Sequence, residues 1–315
     1  MLSLYLGAGF SKWAADLPVA NQLFDFEIEP WGPREYKKLT IVRSLKHNWD
    51  TTHPGGLAEQ FIADALNFSE ETRKAVLWYL VRILSEPFIW KEFHGKWRRH
   101  VLMIDENRKF EIPGVVKAQS FLQRYFSPSL KGIITTNYDM IVEYALGTKG
   151  FNYGISNQTL IGRGPYPVSQ WRNPVILKGK IPLAKIHGSI SWDENAYYTD
   201  GRRGLTGQAL IVAPTPDKQP PELLKSVWEL AVHILQQTNH MIVFGFALYE
   251  YDEAVLNLLK YSTPSLKSIL LIDVEPKIER ARQLWPDIPI TSCQPPAEGD
   301  VDIRNWLMSK DNQIS

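Results

Sequence analysis

Cysteine is almost missing: Cys293 is the only one in 315 residues, which excludes a disulfide within the chain and any four-cysteine zinc ribbon. A single thiol of this kind reads as a small buried hydrophobe rather than a nucleophile. His47, His53, His94, His100, His233 and His240 are scattered and form no metal-ligand spacing, so no bound zinc is expected. Charge of one sign is lacking as well. The formal net charge is +1, too little for a global field that would hold a polyanion, and direct nucleic-acid binding is not expected. The one dense basic stretch, Lys91 to His100, reads as a solvated or subunit-contact face. No apolar run approaches the roughly 18 residues of a membrane-spanning helix. The first basic residue is Lys12, so no charged n-region precedes a hydrophobic stretch, and the expected compartment is the cytoplasm.

What is present is a sizeable apolar fraction, 44%, enough for a real core, arranged as strands whose carboxyl ends carry glycine or polar residues. Leu2 to Leu6 runs into Gly7-Ala8-Gly9-Phe10-Ser11, a glycine turn with a hydroxyl behind it. A residue without a Cβ lets backbone N–H groups approach an anion, and a helix starting just after adds its positive end. The same glycines also serve plain strand-to-helix packing, so both readings stand for this segment taken alone. Later strands end likewise, at Thr135-Thr136-Asn137-Tyr138-Asp139, Lys185-Ile186-His187-Gly188, Phe244-Gly245-Phe246-Ala247 and Ile272-Asp273. In a doubly wound parallel sheet such ends face one crevice, where ligands bind.

The pattern predicts an α/β fold, a Rossmann-like doubly wound parallel sheet with a helical insertion, in a single domain spanning 1–315. The core is expected in 1–25, 128–150, 183–191 and 208–310, the helical insertion in 26–127, and an irregular excursion in 147–182 that is rich in Gly, Pro and Asn. Lys12 to Leu17 reads as a loop over the ligand and Pro18 to Phe24 as a short helix. From Ile28 to Phe126 strand alternation is lacking and helical periodicity prevails, most clearly from Ser69, a good N-cap followed by Glu70 and Glu71, to Leu84. Trp49, Trp78, Trp90 and Trp97 are expected in the core or at a subunit contact. Trp192 to Gly207, with Tyr197-Tyr198 and Arg202-Arg203, reads as a mobile loop. From Ala209 strands and helices alternate regularly, which implies right-handed β-α-β crossovers.

The ordered set of strand ends resembles the sirtuins, and more closely the sirtuin-like NAD-consuming domains of bacterial anti-phage defence. Gly7-Ala8-Gly9-Phe10-Ser11 is similar to the sirtuin Gly-Ala-Gly-x-Ser loop, Thr136-Asn137-Tyr138-Asp139 to Gln-Asn-Ile-Asp, and His187-Gly188 to the catalytic His-Gly, with Gly245-Phe246-Ala247 where sirtuins carry Gly-Thr-Ser. The resemblance implies NAD as substrate. Gly7, Ala8, Gly9, Phe10, Ser11, Thr136, Gly245, Phe246 and Ala247 would then hold it, and Asp273 would accept hydrogen bonds from a ribose diol or cap a helix. It gives Asn137 and His187 as catalytic residues, and Asp139 either as a third or as a helix cap. Departures are informative too. Deacylating sirtuins carry a four-cysteine zinc module and an arginine after the first loop, and both are missing here, which favours the zinc-free NAD glycohydrolase branch. An NAD or ADP-ribose sensing module, a deacylase and an ADP-ribosyl transferase are the alternatives. The expected partners are a second copy of the chain or a defence-system protein.

Overall fold

The computed structural model describes residues 1–30, 32–85, 89–94, 97–102, 113–123, 130–147, 150–154, 180–193, 196–197, 209–213, 222–249, 251–297 and 302–311. The chain opens with β1 (Leu2–Leu6), every residue of it buried, and turns at Gly7 into α1 (Ala8–Ala15). Then come α2 (Pro33–Thr52), α3 (Ala58–Phe68) and α4 (Glu70–Ser85), followed by a hairpin of β2 (Ile89–His94) and β3 (Trp97–Leu102). The core resumes with α5 (Pro113–Phe121), β4 (Leu130–Thr135), α6 (Ile141–Leu146), β5 (Phe151–Asn152) and β6 (Ile181–Lys185). Short strands β7 (Gly188–Ser189), β8 (Trp192–Asp193), β9 (Ala196–Tyr197) and β10 (Leu210–Ile211) follow. The chain ends in α7 (Lys225–Gln236), β11 (His240–Phe244), α8 (Glu253–Tyr261), β12 (Ser268–Ile272), α9 (Ile278–Leu284), β13 (Ile290–Cys293) and α10 (Asp302–Asp311).

The main sheet has seven strands in the order β13-β12-β11-β1-β4-β6-β5, and every neighbouring pair is parallel. Both faces are covered by helices, so β1, β11 and β12 are buried along their whole length and read as continuous apolar runs. The expected Rossmann-like α/β class is the observed one. The strand order reverses between β1, which leads towards β4, and β11, which leads towards β12. Parallel strands feeding helices on opposite faces leave a crevice at such a reversal.

Several local expectations fail for identifiable reasons. The segment 12–15 is helix rather than loop, because α1 starts at once after Gly7 and stops only where Asp16 takes a left-handed conformation at φ 55°. The short helix expected at 18–24 shrinks to a single 3₁₀ turn, Ala20–Gln22. The insertion is not wholly helical: Ile89 pairs with Leu102 and His94 with Trp97 in an antiparallel hairpin. Its side chains lie outside the described residues, as do the Lys91 to His100 face, Trp90 and Trp97. Trp49 and Trp78 are in the core as expected. Helix α5 packs on α1 and α6 and so belongs with the sheet rather than the insertion. The strand expected at 209–213 is the short β10, which leaves the main sheet and pairs antiparallel with β7. Most of the 147–182 excursion, and Tyr198, Arg202 and Arg203, fall outside the described residues, whereas Trp192 of the expected mobile loop is buried against Tyr153. Cys293 is only half-buried, since β13 is an edge strand.

Within the insertion, Ser69 caps α4 as its sequence suggests, its Oγ accepting from the Thr72 N–H at 3.1 Å. From Ala75 to Ser85 α4 is buried on all sides, so it is a core helix there rather than a two-faced one. Phe24 stacks on Tyr79 at 5.3 Å and meets Phe61 edge-on at 4.8 Å, which ties this layer to the segment following α1.

Candidate active site

The carboxyl ends of β1, β4, β6 and β11 open on one crevice of about 1070 Å³. Small-molecule sites typically measure roughly 300–1,000 Å³, so the space suits a ligand as large as a dinucleotide. Ala8, Gly9, Ser11, Thr136, Asn137, Asp139, His187, Gly245, Phe246, Ala247 and Asp273 all line it. Phe10 does not. It is fully buried among Trp13, Phe121 and Phe244, where it fastens α1 to the sheet. Gly7 does not line the crevice either and serves as the N-cap of α1.

The glycines have a packing role that sequence reasoning left open. Gly7 N–H donates to Phe244 O at 2.9 Å, Gly9 N–H to Gly245 O at 2.9 Å, and Gly245 N–H to Ile272 O at 2.8 Å. Backbone thus touches backbone where β1 and β11 end, and a Cβ on Gly9 would stand 2.6 Å from Gly245 Cα. These hydrogen bonds also consume N–H groups expected to cradle phosphate, because Phe10 N–H is likewise taken, by Gly7 O at 3.0 Å. What α1 still offers an anion is the positive end of its dipole: no side chain caps it and no acidic residue occupies its first turn.

Asn137 and Asp139 form one network with Ser11. Asn137 Nδ2 donates to Gly7 O and to Ser11 Oγ, each at 2.8 Å, and Ser11 Oγ donates to Asp139 Oδ2 at 2.6 Å. Asp139 Oδ1 accepts from the Ile141 N–H at 3.0 Å, so this carboxylate caps α6 while also holding Ser11. Asn137 Oδ1 has no protein partner among the described residues. Behind Asp139, Lys185 Nζ donates to its carbonyl and to Glu143 Oε1, the latter at 2.8 Å, which neutralises a buried carboxylate. Asp273 Oδ1 accepts from the Glu275 N–H at 3.0 Å in an Asx turn, at the far end of the crevice.

His187 is placed by its neighbours in the chain. Ile186 N–H donates to Thr135 O at 3.0 Å, Trp228 Nε1 donates to Ile186 O at 2.9 Å, and His187 O accepts from Val212 N–H at 3.0 Å. Gly188 follows at φ +84°, with its α-carbon so close to Leu210 that an added Cβ would sit 2.1 Å from the carbonyl oxygen. The imidazole Nε2 lies 3.2 Å from Asp252 Oδ2, and both residues are buried, at 4% and 6% exposure. Sequence reasoning missed Asp252, because 250–259 reads as helix and hides a carboxylate that sits at its boundary.

A second missed carboxylate is Glu59, which α3 delivers from the insertion into the same crevice. Burial raises its pKa above the ordinary carboxylate range; its own backbone N–H and His187 oppose the shift, and Asp252 adds to it. Burial also pushes up the phenols of Tyr5 and Tyr138, with Asp252 adding in both cases and Glu59 for Tyr138. For an acid whose folded pKa is raised, the folded state binds more protons than the unfolded one between the two values, so stability falls as pH rises through that window. Glu59→Gln is therefore expected to raise the melting temperature at neutral pH and to lose this advantage below the ordinary carboxylate range. Melts of both proteins across that pH range test it, and a constant difference would remove the burial argument.

This architecture defines a Rossmann-like α/β protein whose polar residues converge at the topological switch point. A model of the SIR2-like domain matches residues 131–263, which carries Asn137, Asp139, His187, Gly245 and Asp252, so over that stretch the chain is similar to a SIR2-like domain. Gly7 to Ser11, Glu59 and Asp273 lie outside the matched stretch. A solved structure from work on the mechanism and regulation of Sir2 enzymes is similar at 14% identity and a TM-score of 0.42, covering 92% of this chain and 85% of that one. No curated protein matches the chain. Sirtuin-like domains use NAD. Among the described residues no group of His, Cys, Asp and Glu could hold a metal ion, and no helix is long and apolar enough to cross a membrane.

Proposed function

We propose that this protein binds NAD in the crevice and hydrolyses the bond between nicotinamide and ribose, giving ADP-ribose and nicotinamide. The observation that carries the reading is the convergence of the Asn137–Ser11–Asp139 network and the His187–Asp252 pair on one crevice beside an uncapped helix N-terminus. In the reaction the glycosidic C–N bond breaks and its electron pair leaves with nicotinamide, which departs neutral. The ribose carbon becomes oxocarbenium-like and is captured by water. Asn137 Oδ1, held in place through the amide nitrogen, binds a ribose hydroxyl or the attacking water, and His187 takes the water's proton. The carboxylates of Asp139, Asp252 and Glu59 make the surroundings favourable to a positive ribose. Nucleotide phosphates lie at the start of α1, and Asp273 meets the adenosine ribose.

Incubating purified protein with NAD and following nicotinamide by chromatography tests this directly. Stoichiometric release of nicotinamide and ADP-ribose is the expected result. Binding without release favours the sensing module, and release only with an acylated peptide favours the deacylase. A role in depleting NAD during phage defence rests on the sequence resemblance alone. Metal analysis of untagged protein is expected to find well under one zinc per chain, since a single cysteine cannot build a structural site. One tightly held zinc per chain would reopen the deacylase reading.

A further inference from the structure

We infer that Asp252 is the positioning residue of the site: it holds His187 as the tautomer that carries its proton on Nε2 and so leaves Nδ1 as the nitrogen that accepts the proton. The inference rests on the reading of His187 as the base. Its first support is geometric. Asp252 Oδ2 lies 3.2 Å from His187 Nε2 with both side chains buried, so an ionised carboxylate there requires a hydrogen on that nitrogen. In a neutral imidazole the other nitrogen is then an unprotonated acceptor.

The second support is what Asp252 forgoes. It occupies the N-cap position of α8, where an aspartate ordinarily accepts from the first turn, yet it makes no side-chain cap hydrogen bond. The carboxylate is spent on His187 instead. The third is the loop that aims it. After β11 the chain passes through Gly245 at φ 64° and Leu248 at φ 53°, and the left-handed region is unfavourable for a bulky side chain such as leucine. Leu248 is nonetheless fully buried and its carbonyl accepts from Arg280 Nη1 at 3.0 Å, so the surroundings hold the strained turn that brings Asp252 round to β6. Strain retained at such a point is characteristic of functional sites.

In the step itself, water attacks the ribose carbon as the C–N bond to nicotinamide breaks. One water proton passes to Nδ1, the imidazolium is paired with Asp252, and the proton is later lost to solvent. Without the carboxylate the ring is free to protonate Nδ1, which removes the base without removing the histidine.

The test uses the full chain labelled with ¹⁵N-histidine. Long-range ¹H–¹⁵N spectra report which ring nitrogen carries hydrogen, and subtracting the spectrum of His187→Gln picks out the one signal among the seven histidines. The expected result is Nε2–H for the parent protein, and loss of that preference together with a roughly 10²–10⁴-fold slower nicotinamide release in Asp252→Asn at unchanged NAD affinity. Nδ1–H in the parent overturns the inference even if Asp252→Asn does not fold. So does Asp252→Asn turning over at the parent rate while His187→Gln is inactive. His187→Gln at the parent rate instead overturns the role of His187 itself, so the two failures are told apart.

Discussion

His187→Gln is expected to abolish nicotinamide release while the protein melts close to the parent. Removing a general base typically costs about 10²–10⁴ in rate. Glutamine is chosen because its amide can still donate to Asp252, which sits 3.2 Å from the imidazole and is buried. His187→Ala would strip that partner and strand a carboxylate, at a cost of about 1–3 kcal/mol or more, and so mix catalysis with folding. Asn137→Ala should be equally inactive, but it will not leave the fold untouched. Its Nδ2 holds both Gly7 O and Ser11 Oγ, so a loss of about 1–2 kcal/mol accompanies the loss of activity. The double variant His187→Gln with Asn137→Ala should be little slower than either alone, as for residues that act as a unit. Single-turnover assays beside thermal melts give the answer. A His187→Gln protein that cleaves NAD at the parent rate would falsify the assignment.

Gly245→Ala is expected to be strongly destabilising. A Cβ there would stand 2.3 Å from Phe10 N and 2.4 Å from Gly9 C, and these backbone atoms belong to a helix already fixed by the Phe10 cluster. The residue also sits at φ +64°, where a side chain is disfavoured. Overpacking and backbone strain together cost roughly 3 kcal/mol or more. For a domain of this size that lowers the melting temperature by on the order of 5–10 °C. Gly32→Ala is the control, since nothing lies within 4 Å of its added Cβ. By the same reasoning Gly9→Val should lose the fold along with any NAD binding. Its added Cβ meets Gly245 Cα at 2.6 Å before it reaches the ligand's space. A Gly245→Ala protein melting within about 2 °C of the parent would remove the interlock as the reason for these glycines.

Much of the sheet was legible because parallel strands are buried on both faces and therefore appear as short apolar runs. The runs at 2–6, 240–244 and 268–272 are all-buried strands. Ser69 was legible as a cap for the same local reason, a hydroxyl within reach of the next turn. The hairpin at 89–102 was not, because its two strands stabilise each other by cross-strand pairing that a helical periodicity search does not register. Nor was the extent of α1, whose glycine-rich start resembles a loop.

The sequence by itself determined the class of fold and the order of the polar strand ends, since these depend on hydrophobic runs and the residues that close them, and its resemblance to the sirtuins gave Asn137, Asp139 and His187 as candidates. Tertiary structure alone decided how those residues are used. It joined Asn137 to Ser11 and Asp139, brought Asp252 from a loop after β11 to His187, and carried Glu59 in from the helical insertion. It also brought the glycines at 7, 9 and 245 into close backbone contact. The physical reason is range. Burial and capping act within a few residues of chain, whereas a hydrogen bond or a 2–3 Å backbone approach between distant segments exists only once the sheet has brought their ends together.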